Sequence, residues 1–180
     1  MKALFVRCAF AALALCSMAA HAQPATPQFK DYPAEAPYTG PRHELVIDGE
    51  FAKTFRTRLR NALASDKLDF AGRYVVVRWG CGSGGCNMGA VVDASTGRAT
   101  PFPMVLSGVW PLKPEFDEEP GQELIYKSSS RLMVFAGDLG VESPDGGKAD
   151  TVSFYELADG KFRHLKSVPY GRRAVETKKR

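Results

Sequence analysis

The residues best placed to do chemistry are two cysteines and the small residues between them. In Trp79-Gly80-Cys81-Gly82-Ser83-Gly84-Gly85-Cys86-Asn87-Met88-Gly89, the thiols bracket a Gly-Ser-Gly-Gly turn. Residues 74–79 and 88–93 on either side are β-branched and aromatic and read as strands. Cys81 and Cys86 should therefore face each other at the neck of a hairpin. Opposed residues of an antiparallel pair lie about 4.5 to 5.5 Å apart at Cα, within the span of a disulfide. A Cys81–Cys86 bridge is expected; closing so short a loop, it fixes shape more than it raises global stability.

Three chemistries compete for this loop. As a redox pair, the cysteines lack the two-residue spacing and the following helix N-terminus that lower a thiol pKa. As an acyl-transfer nucleophile, Ser83 needs a base, and beyond the N-terminal leader only His43 and His164 are candidates, neither in a recognisable motif. Cys81 also stands where a nucleophile elbow has its first glycine. No catalytic residue is assigned. As a recognition loop, the glycines let a partner approach the backbone, Ser83 and Asn87 are adaptable donors, and Trp79 offers an anchor. The candidate binding residues are thus Trp79, Gly82, Ser83, Gly84 and Asn87. A stapled turn with no partner, and Trp79 in the core, is the competing reading.

Two acidic groups remain. Glu115, Asp117, Glu118 and Glu119 cluster in one segment, and Asp138, Glu142, Asp145 and Asp150 lie in a Gly-rich one. Neither matches an EF-hand loop, and two histidines with a bridged cysteine pair leave no zinc motif. No metal and no cofactor is expected.

A bridge needs an oxidising compartment, and the N-terminus supplies the route to one. Lys2 and Arg7 precede an apolar run over residues 8–20, and Ala20-His21-Ala22 offers small residues at the positions a signal peptidase reads. Residues 1–22 read as a signal peptide cleaved before Gln23. The run, about 13 residues, is short of the roughly 20 that span a bilayer, and no later stretch is long enough. The protein is expected in the periplasm or secreted. Cys8 and Cys16 leave with the leader.

The whole chain has 24 Lys plus Arg against 20 Asp plus Glu, a net charge of +4. Lys2 and Arg7 leave with the leader, while Arg172, Arg173, Lys178, Lys179 and Arg180 against Glu176 sit in the tail 172–180. The body between is slightly acidic. The basic balance belongs to a terminal tail, so nucleic-acid binding by the domain is disfavoured.

These residues must be positioned by a small domain. Pro24, Pro27, Pro33, Pro37 and Pro41 make residues 23–42 an extended lead-in, draped over the domain through Tyr32 and Tyr38. Phe51, Phe55, Leu59 and Leu63 recur every four residues, predicting one amphipathic helix over 49–64 capped by Asp48. Strands follow at 74–79, 88–93, near 105–110 among five prolines, and at 124–127, 132–136, 152–157 and 162–166. Asp159-Gly160 between the last two is a hairpin signal. The expected class is α+β, mostly β: an antiparallel meander of six or seven strands with one N-terminal helix, in a single domain over 43–171.

Phe70-Ala71-Gly72-Arg73-Tyr74 entering a strand, Trp79-Gly80-Cys81-Gly82 followed by Cys86, and Ser129-Ser130-Arg131-Leu132-Met133-Val134 together resemble uncharacterised exported proteins of Gram-negative bacteria. The resemblance covers about half of the mature chain; it implies a periplasmic setting and brings no activity or site. Ala71-Gly72-Arg73-Tyr74 is also weakly similar to the Ser-Gly-x-x-Tyr element of periplasmic lysozyme inhibitors. It lacks the Ser and one residue, so no inhibitory residue carries over. Two readings follow. One is a non-enzymatic periplasmic binding or inhibitor protein of immunity type, presenting the stapled loop to an envelope protein or cell-wall enzyme. The other is a small envelope hydrolase using Ser83 or a loop carboxylate.

Overall fold

A computed structural model describes residues 26–82, 86–107, 123–137 and 151–169. The expected leader at 1–22, the loop residues Ser83, Gly84 and Gly85, both acidic groups, residues 108–110 of the strand expected near 105–110, and the tail 172–180 lie outside the described residues. The class is α+β and mostly β. Strands β1 (Tyr74–Gly80), β2 (Cys86–Asp93), β3 (Ala99–Pro101) and β4 (Leu106–Ser107) make one antiparallel sheet. A second consists of β5 (Leu124–Tyr126), β6 (Leu132–Gly137), β7 (Thr151–Ala158) and β8 (Lys161–Pro169), in that order. Among the described residues no helix is long and apolar enough to cross a membrane.

Among the described residues the strands number eight and divide into two sheets, where the sequence suggested one meander of six or seven. The reason lies in β1 and β2, which are apolar on both faces. Val75, Val77, Trp79, Ala90 and Val92 face one way, and Tyr74, Val76 and Val91 the other. A sheet that is apolar on both faces needs a layer on each. The second sheet therefore stacks on the first, with Phe102, Met104, Leu106, Leu124, Met133, Phe135 and Leu157 filling the space between them. Both β3 and β4 pair with β2, at Ala90 to Val92 and then at Cys86 and Asn87. Pro101 ends β3, and Pro103, which likewise lacks an N–H, stands in the gap before β4.

Helices cover the outer face of the first sheet. The helix expected over 49–64 is two segments, α1 (Glu50–Thr54) and α2 (Arg56–Ser65), separated at Phe55 with φ −102° and ψ 15°. The bend seats both Phe51 and Phe55 on Trp79, with ring centroids 6.3 and 4.8 Å away. Asp48 does not cap this helix. Gly49 holds the N-cap position without a side-chain bond, and the Asp48 carboxylate pairs instead with Arg98, which stands just after the β2–β3 turn. A guanidinium brought in by tertiary contact wins over the local amides.

The lead-in forms the outermost layer on the opposite side. Phe29 and Tyr32 pack on Ile125, Leu132, Val134, Val152 and Phe154 of the second sheet. Pro33 bridges Ser130, whose buried hydroxyl lies 2.9 and 2.8 Å from the carbonyls of Phe29 and Tyr32 and shares its one proton between them. Tyr38 reaches the helix-side core. Four layers result: helices, first sheet, second sheet and lead-in.

Candidate functional site

The hairpin that carries the loop is rigid at its base for reasons visible in its register. β1 and β2 pair without a break from Tyr74↔Asp93 to Gly80↔Asn87, and the next step of the same register sets Cys81 opposite Cys86. The Val76 N–H donates to Asp69 Oδ1 at 3.0 Å, away from β2. Even-numbered residues of β1 therefore turn their main-chain groups outward, and odd-numbered ones bond β2. Cys81 falls in phase with Val75, Val77 and Trp79, the hydrogen-bonded positions. Their Cα spacing of about 5.5 Å matches the commonest Cα separation of a disulfide.

Trp79 lies under this neck. It is only 8% exposed, held by Phe51 and Phe55, with the Arg58 guanidinium 6.0 Å from its ring centroid. Its indole N–H is buried with no hydrogen-bond partner among the described residues. Trp79 is thus part of the helix-side core, the competing reading of the sequence, and not an exposed anchor. Burial in the helix-side core wins because its strand position shares a face with Val75 and Val77. Gly82 is exposed at φ +152°, with open space where a Cβ would stand.

Asn87 points the other way, into the space between the sheets, and meets a residue that sequence reasoning missed. The Asn87 amide donates to Glu123 Oε1 at 2.9 Å, and Arg78 Nη1 donates to the same oxygen at 3.3 Å. Glu123 is buried and stands just before β5, so one carboxylate of the second sheet ties both strands of the hairpin together. Its other oxygen, Oε2, is buried and has no hydrogen-bond partner among the described residues. Beside this cluster, Tyr126 donates to Asp69 Oδ2 at 3.0 Å. Burial first, and then the Asp69 carboxylate, push the Tyr126 phenol up to about 12. Tight packing supports the arrangement at Gly89, where a Cβ would stand 2.3 Å from the Val77 carbonyl and 2.5 Å from the Phe102 ring. No local motif marks Glu123; it lies 36 residues from Asn87 along the chain.

The two histidines separate. His43 is anchored by its main-chain N–H to the Ala94 carbonyl and lines a cavity of about 450 Å³ with Arg42, Arg60 and Leu63. There the Arg42 guanidinium is taken up by the carbonyls of Leu63 and Asp66 at the end of α2. His164, on β8, has its Nε2 2.8 Å from Ser167 Oγ. Among the described residues, no three His, Cys, Asp or Glu side chains converge as a metal site.

No protein family, curated protein or solved structure matches this chain. The functional reading rests on the geometry.

Proposed function

We propose that this is a periplasmic binding or inhibitor protein of immunity type, which presents the hairpin at residues 79–89 to an envelope protein or cell-wall enzyme. The observation that carries the reading is the carboxylate of Glu123, which fixes Arg78 and Asn87 just below the loop. With Trp79 clamped on the other face, the hairpin is held from both sides before any partner arrives. Recognition gains from such preorganisation because less ordering cost falls on binding. The leader at 1–22 and a Cys81–Cys86 bridge fit an oxidising compartment outside the inner membrane. Recognition by the loop requires no chemistry of its own.

Affinity capture on the mature protein from a Gram-negative envelope extract tests this. A captured cell-wall enzyme, purified and assayed with increasing amounts of the protein, should lose activity. Hydrolytic activity of the protein itself that disappears in Ser83→Ala would instead place the loop in the enzyme class.

A further inference from the structure

The second sheet carries an arrangement that the hairpin reading does not use. Strands β7 and β8 pair Phe154 with Lys166 but Tyr155 with His164, so Leu165 is an extra, unmatched residue. In a regular strand, residues three apart point to opposite faces. The bulge at Leu165 resets the alternation and brings His164 and Ser167 to one face, opposite Tyr155 and Ser153. Their side chains meet: His164 Nε2 lies 2.8 Å from Ser167 Oγ, and Ser153 Oγ lies 2.8 Å from the same oxygen. Ser153 is fully buried, while Ser167 and His164 are exposed. The His164 ring rests edge-on against Tyr155, centroids 5.1 Å apart, which limits its rotation.

We propose that Ser167 is a nucleophilic serine, with His164 as its general base, acting on activated acyl esters. A serine within hydrogen-bond reach of an imidazole nitrogen is the geometry that activates a hydroxyl. In the first step Ser167 Oγ attacks the ester carbonyl carbon and its proton passes to His164 Nε2. The Oγ–C bond forms, the bond to the alcohol breaks, and the imidazolium returns the proton to the departing oxygen. Water, deprotonated by His164, then attacks the acyl carbon; the Oγ–C bond breaks, the imidazolium returns its proton to Ser167 Oγ, and the acid leaves. Ser153 is a positioning residue: its hydroxyl lies 2.8 Å from Ser167 Oγ, and with the Ser167 proton directed to His164 it supplies the hydrogen bond that orients that oxygen for attack. The site is independent of the loop and of its partner.

The test uses the mature protein with a fluorophosphonate probe and with p-nitrophenyl acetate, reading adducts by peptide mass spectrometry. We expect the adduct on Ser167, with labelling slowed by about 10²-fold or more in His164→Ala and in His164→Gln, since a base of this kind contributes that much. Ser65→Ala, at the exposed end of α2, should label like wild type. Ser153→Ala should slow the reaction by a smaller factor; Ser153→Thr, which keeps the hydroxyl, should restore it and exclude a merely structural effect. Circular dichroism checks that each variant is folded. Two results would overturn the proposal: no adduct on Ser167 in folded wild-type protein, or labelling at the same rate without His164.

Discussion

Glu123 uses one oxygen to hold two strands and leaves the other buried without a partner among the described residues. Burying a carboxylate this way is costly unless its bonds are made, and Arg78, with 47% of its side chain exposed, gives up part of its attraction to solvent screening. The larger consequence of removing Glu123 is a stranded Asn87 amide. We expect Glu123→Ala to lower unfolding stability by about 1 to 3 kcal/mol and to speed amide exchange in β2, as read by urea titration and hydrogen exchange. Glu123→Gln, which keeps an acceptor for Asn87, should cost less. Equal stability of Glu123→Ala and wild type would remove the tie from the account. Tyr126 adds an alkaline signature. Its phenol is raised in the fold to about 12 from an ordinary value of 10.0, so above pH 10 the unfolded chain loses its proton first. The stability contribution is complete below pH 10 and falls as pH rises toward 12. Tyr126→Phe should flatten part of that decline in denaturation curves taken across this range, while Tyr74 and Tyr155, also raised by burial, keep the rest.

At the scale of the element, the hairpin rests on its register and on the packing of Trp79, and the expected Cys81–Cys86 staple is tested separately. In mature protein we expect no thiol to react with an alkylating reagent until a reductant is added. The double variant Cys81→Ser, Cys86→Ser should still fold, because the pairing from Tyr74 to Asn87 and the Trp79 packing hold the strands without the bridge. Only loop amides should exchange faster. Two alkylated thiols in native protein would remove the staple, and unfolding of the double variant would show that it contributes far more than closing a short loop provides. The strands were legible because their alternation and β-branched content are local properties. Asp159-Gly160 was legible for the same reason, and both residues take positive φ, 52° and 69°, as a tight hairpin turn requires. The bend at Phe55 and the loss of the Asp48 cap were not, since Trp79 and Arg98 act on them from 24 and 50 residues away. The short β3, ending in Pro101, has too few residues to show a period.

Across the whole molecule, the layers explain why the loop could be read from sequence and its support could not. Cys81, Cys86 and the glycines between them are contiguous. Glu123, Arg78 and Asn87 come together only because the second sheet stacks on the first, and His164 meets Ser167 only through a bulge that no sequence period announces. The compartment is a whole-chain property too. Expressed with its leader in a Gram-negative host, the protein should accumulate in the periplasm with Gln23 as its first residue, by intact mass and N-terminal sequencing. Retention of residues 1–22, or a lipid on Cys16, would overturn that localisation.

The central claim is that the hairpin at 79–89 is the recognition surface, and affinity for the captured partner measures it most directly. Three proteins are compared by calorimetry: wild type, the loop variant Ser83→Arg with Gly84→Arg, and a tail variant with Arg172, Arg173, Lys178 and Lys179 replaced by Gln. The account predicts that the loop variant binds at least about 30-fold more weakly, the loss of a contact of about 2 kcal/mol, at unchanged thermal stability. The tail variant should show a small loss that vanishes at high salt. Wild-type affinity in a folded loop variant would contradict the claim.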